Sequence, residues 1–145
     1  MKRLLLIFLL APAILTSITS AQPSITWQRL YNGPQSKDDE GNVICKAEGN
    51  NVYIAGSTPF TLSPNIRLYI IKINGYGDTL WTRAIPVNGT HEGKVYGMMS
   101  LPDGGCVITG EANLKFLIRL DINGNVVWQS YYAGNAQLYD VKRAH

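Results

Sequence analysis

The stretch LYIIKINGYGDTLW, Leu68 to Trp81, has a counterpart in KFLIRLDINGNVVW, Lys115 to Trp128, and the two align without a gap. Tyr69, Ile71 and Ile73 fall on Phe116, Ile118 and Leu120, and Lys72 falls on Arg119. Apolar residues at alternate positions, with a base on the other face, follow the two-residue period of a strand. Both runs then break at a polar segment, Asn74-Gly75-Tyr76-Gly77-Asp78 in one and Asp121-Ile122-Asn123-Gly124-Asn125 in the other. Such residues tolerate the positive φ that closes a tight hairpin, so each stretch predicts two strands and a turn.

Upstream, NVYIAG (Asn51 to Gly56) matches GCVITG (Gly105 to Gly110), and turn residues precede each: Gly49-Asn50 or Pro102-Asp103-Gly104. Each predicts a short strand that ends on its glycine. Asn42 to Ala47 and Val95 to Leu101 supply an opening strand before it. The distance from glycine to tryptophan is 25 residues in the first unit and 18 in the second. The difference is assigned to Ser57 to Arg67, where Pro59, Ser63 and Pro64 signal a loop.

Each unit thus reads as four strands: opening, glycine-ended, isoleucine-rich and tryptophan-bearing. Trp27 extends the series, since Trp27, Trp81 and Trp128 lie 54 and 47 residues apart. Periods of this size mark propellers or solenoids. The expected fold is all-β, with tandem four-stranded blades of a β-propeller, about two and a half units in residues 22–145. Trp27, Gly56, Trp81, Gly110 and Trp128 are its structural positions. A two-sheet sandwich would also use seven to nine short strands, but it does not explain the in-register tryptophans.

Asp121, Gly124 and Trp128 resemble the tryptophan-docking repeat of quinoprotein-like propellers. The fuller pattern is a strand ending in glycine, a base before an Asn-Gly or Asp-x-Asn-Gly turn, then Trp. It is similar to the propeller repeats of secreted bacterial proteins and spans most of Ser24 to Arg143. Asn74 departs from it by standing where Asp121 stands in the second unit. The resemblance implies an architecture and leaves the activity open.

The outer segments read as part-units. Ser24 to Tyr31 is expected to be a tryptophan strand that completes the last blade of a ring. Gln137 to Arg143 is expected to open a third unit, with Leu138-Tyr139 falling on Val95-Tyr96. Rings have about 4 to 8 blades, so an incomplete ring is expected. Either the chain is the front of a longer protein or short chains close a ring by self-association.

Lys2 and Arg3, the apolar run Leu4 to Leu15 and the small polar Thr16 to Ala21 have the layout of a secretory signal cut before Gln22. The run falls short of the roughly 20 apolar residues that span a bilayer, so no membrane span is expected after cleavage. Periplasm, cell surface or medium is the expected compartment. Two of the 13 Lys and Arg lie in this leader, which leaves 11 against 10 Asp and Glu. A near-neutral balance without a basic block argues against nucleic acid as partner and leaves a protein or glycan.

Catalytic motifs are sparse. His91 and His145 are the only histidines, and neither zinc-type spacing, a nucleophile elbow nor a phosphate-binding glycine loop occurs. Asp38, Asp39 and Glu40, with Asn42, are the candidate ligands for a hard cation, but they lack the spacing of a calcium loop and read rather as a solvated turn. Asn88-Gly89-Thr90 satisfies a glycosylation sequon. Cys45 and Cys106 read as small buried side chains on strands of different units rather than as a disulfide. Tyr31, Tyr131 and Tyr132 are placed at a rim, within reach of a sugar or peptide. No cofactor is implied. A non-enzymatic binding or scaffold module is the expected function; the alternative is part of a quinoprotein-like or hydrolytic propeller enzyme with its active site on other blades.

Overall fold

The computed structural model describes residues 27–33, 39–58, 67–87, 93–134 and 138–142. Residues 1–26 with the expected leader, Asp38, the sequon, both histidines and the loop prolines fall outside the described residues. Eight strands follow one another: β1 (Glu40–Lys46), β2 (Val52–Thr58), β3 (Arg67–Ile73), β4 (Thr79–Pro86), β5 (Lys94–Ser100), β6 (Cys106–Ala112), β7 (Leu114–Leu120) and β8 (Val126–Tyr132). They form two antiparallel four-stranded sheets, ordered β1-β2-β3-β4 and β5-β6-β7-β8, and the described residues contain no helix. The chain is all-β.

Residues that align in sequence occupy matching places in the two ladders. Lys72 lies opposite Trp81 and Arg119 opposite Trp128, and each pair is followed by a register shift. A second shift falls between Gly41 and Val43 in one sheet and between Val95 and Gly97 in the other. These bulges correct one expectation. Gly56 and Gly110 do not end their strands, because β2 runs on to Thr58 and β6 to Ala112. Each glycine instead lies opposite a bulge that pushes a carbonyl into its space. A Cβ on Gly56 would sit 1.7 Å from the Glu40 oxygen, and one on Gly110 2.2 Å from that of Lys94. An extra residue in one strand, rather than a chain reversal in the other, is what requires glycine here.

The length difference between the units lies where the loop signals put it. Residues 59–66 connect β2 to β3, whereas Asn113 alone, at φ 73°, connects β6 to β7.

The sheets share one core. Tyr53 and Ala55 on β2 and Leu68 and Ile70 on β3 join Ile108 on β6 and Phe116, Ile118 and Leu120 on β7, all fully buried. Burying such a side chain contributes about 1.5–3 kcal/mol. On the far face of β3, Ile71 and Ile73 are also buried, and the hydroxyl of Tyr69 donates to the carbonyl of Asn32 at 3.0 Å. Residues 27–33 therefore lie along this outer face.

Residues 27–33 and 138–142 form no strand. Both were expected to be strands, but no neighbouring ladder among the described residues pairs with them. Side-chain bonds hold them instead, among them that from Tyr69 to Asn32 in the first and that from Thr109 to the carbonyl of Leu138, at 3.0 Å, in the second.

Candidate functional site

The β3–β4 and β7–β8 turns are the elements around which the tryptophans assemble. Each opens on an Asx residue whose side chain takes the backbone N–H groups two and four residues ahead. Asn74 accepts from Tyr76 at 2.9 Å and Asp78 at 3.0 Å, and Asp121 from Asn123 at 2.9 Å and Asn125 at 2.8 Å. This pulls the chain into a loop whose fourth residue is glycine with positive φ, 82° at Gly77 and 79° at Gly124. Two consequences follow: the carbonyl of the second turn residue faces outward, and the glycine leaves a flat, open surface beside it.

Tryptophan fills both features. The Trp27 indole N–H donates to the Gly75 carbonyl at 3.1 Å, and its ring covers Gly77, where a Cβ would lie 2.7 Å away. At the matching place between the sheets, the Trp81 N–H donates to the Ile122 carbonyl at 3.0 Å and its ring covers Gly124. An arginine two residues after each tryptophan reaches the same turn: Arg29 lies 3.8 Å from the Asp78 carboxylate, and Arg83 donates to the Asn123 carbonyl at 2.6 Å. The Arg83 guanidinium also stands 5.5 Å over the Trp81 ring. Beside this joint the Tyr53 hydroxyl donates to the Gly104 carbonyl, its ring lies 5.7 Å from Trp81, and the Lys72 ammonium sits 5.0 Å over it. Burial, ahead of its charged and thiol neighbours, pushes the Tyr53 phenol well above its ordinary pKa.

In the second sheet the matching surface stands open among the described residues. Val107, Arg119 and Trp128 occupy the places of Tyr53, Lys72 and Trp81. With Leu101, Pro102 and Asp103 they line a cavity of about 430 Å³. Trp128 is 39 % exposed, and no described residue accepts from its indole N–H. Asp103 and Arg119 are paired across the mouth at 2.6 Å. The Gly105 N–H, and after it the guanidinium of Arg119, hold the Asp103 carboxyl below its ordinary range. An apolar floor, an indole N–H without an acceptor among the described residues and the Asp103–Arg119 ion pair at the rim make up this surface.

The candidate cation ligands do not assemble a site among the described residues. Asp39 accepts from the Gly33 N–H, Glu40 is exposed at the start of β1, and no group of three His, Cys, Asp or Glu converges. Cys106 is fully buried and Cys45 partly so; both are free. Tyr31 turns inward and donates to the Gly77 carbonyl at 2.7 Å, Tyr131 bonds Gln129, and Tyr132 is exposed. Tyr53, Arg29 and Arg83 were missed as joint residues. Trp-x-Arg at both 27–29 and 81–83 was the available signal for the arginines.

No known protein family matches the sequence, and no curated protein matches it. Among solved structures, the chain is similar to a protein of unknown function from Bacteroides caccae, with 15% identity and a TM-score of 0.49 over 76% of this chain and 35% of that one. The chain therefore spans about a third of that structure's length.

Proposed function

We propose that this chain is an exported, non-enzymatic binding or scaffold module whose four-stranded sheets stack head to tail as blades of a propeller-type assembly. The supporting observation is the tryptophan joint, made once by Trp27 on the 74–78 turn and again by Trp81 on the 121–125 turn. A joint made twice in the same sense favours serial stacking over a two-sheet sandwich, whose faces would meet once. The open Trp128 surface is where such a module meets a protein or glycan partner, because large aromatics in exposed apolar hollows anchor interfaces.

Export rests on the leader pattern, and Edman sequencing of protein from the periplasm or medium should start at Gln22. The binding role is tested with purified protein against a defined panel of envelope glycans and extended peptides, beside dye-linked oxidation and chromogenic hydrolysis assays. Saturable binding that Trp128→Ala removes, without turnover, is the expected result. Turnover by the purified protein would refute the non-enzymatic reading.

A further inference from the structure

We infer, resting on the stacked-sheet reading above, that the Trp128 face of β5–β8 binds the outer face of β1–β4 in a second copy of this chain, and that residues 27–33 compete for that contact.

Within one chain, the joint brings together two surfaces. One consists of Tyr53, Lys72 and Trp81; the other is the face of Phe116, Ile118 and Leu120 with the 121–125 turn. Both patterns recur on the outside. Val107, Arg119 and Trp128 repeat the first on the far side of β5–β8. Tyr69, Ile71 and Ile73 with the 74–78 turn repeat the second on the far side of β1–β4, in the same strand register. A chain that carries complementary surfaces on opposite faces is suited to heterologous, head-to-tail contact.

Among the described residues, 27–33 cover the outer face of β1–β4, where Ile71 and Ile73 are buried. Trp27 is 38% exposed and Leu30 90% exposed in a segment that joins no ladder. Leu138–Lys142 covers Thr109 and Gly97 but leaves the Trp128 cavity open.

Trp27 already occupies the acceptor that Trp128 of another copy needs, the Gly75 carbonyl. Only one indole fits over Gly77, so displacement of 27–33 accompanies association. Ser130 stands where Arg29 and Arg83 stand in the other two joints, so the contact between copies lacks one cationic donor. The contact is therefore weaker than the joint within the chain and sensitive to the competing segment.

Sedimentation velocity of the mature protein over about two decades of concentration tests this, with circular dichroism confirming the fold of each variant. Trp27→Ala should tighten self-association roughly tenfold by releasing the covered turn. Tyr31→Phe, which removes only the hydroxyl bonded to Gly77, should tighten it less. Adding Trp128→Ala to either variant should return a monomer. Monomers throughout, or association indifferent to Trp128, would overturn the inference. Trp81→Phe separates the two ideas. If it lowers stability while every variant stays monomeric, the stacking stands and only the partner is wrong; if stability is unchanged, the stacking reading itself fails.

Discussion

At position 74 the first turn has an amide and at 78 a carboxylate; the second turn reverses them, with Asp121 and Asn125. The side-chain bond across the turn survives the exchange, from the Asn74 amide to Asp78 at 3.1 Å and from the Asn125 amide to Asp121 at 2.9 Å. Asn74 therefore does not spoil the pattern, since either residue accepts the same backbone N–H groups. Charge distinguishes the two turns. The side-chain amide of Asn125, then its backbone N–H, hold the Asp121 carboxyl below its ordinary pKa. A depressed folded value means stabilisation that is complete above the unfolded pKa of about 3.9 and lost as pH falls through the folded value. The urea midpoint should thus decline below about pH 4, and Asp121→Asn should flatten the decline; equal slopes would refute the assignment. Asn74→Asp would set two carboxylates against each other and should lower the midpoint at neutral pH, with recovery in acid. Burial pushes the Cys106 thiol up to about 12. It should resist Ellman's reagent until the protein unfolds, with Cys45 reacting first; rapid native reaction of both would contradict the packing.

The strands themselves were legible wherever periodicity is local: the alternation of β3 and β7, their turns and the tryptophan positions all lie within single short stretches. Gly56 and Gly110 were misread as strand ends because the cause lies in the partner strand. Asn42 and Tyr96 are the extra residues that bend β1 and β5 toward those glycines, and a strand read alone does not register them. Gly110→Ala should therefore lose about 1–3 kcal/mol or more. Gly41→Ala, with nothing within 4 Å of its Cβ position, should stay within about 0.5 kcal/mol. Equal losses in a denaturant titration would reject the bulge explanation. The joint was illegible for a different reason: Tyr53 finds its acceptor 51 residues away and Arg83 finds its own 40 away. Only the fold brings such partners together.

Across the molecule the two sheets close over one core, so neither can lose its partner without exposing Leu68 and Ile70 on one side or Phe116 and Ile118 on the other. Far-UV dichroism and tryptophan fluorescence should follow a single transition, and Phe116→Ala should lower stability by about 3–5 kcal/mol while both probes still coincide. Two separated transitions would mean that the sheets fold independently. The joint between them has a consequence for ancestry. Trp81, Arg83 and Tyr53 all bond backbone carbonyls, those of Ile122, Asn123 and Gly104, and Trp27 treats Gly75 as Trp81 treats Ile122. The contact is blind to the side chain of the residue it grips. A lineage can therefore lengthen such a stack by duplication and let most of each new copy drift, provided that one tryptophan and one turn glycine are inherited together.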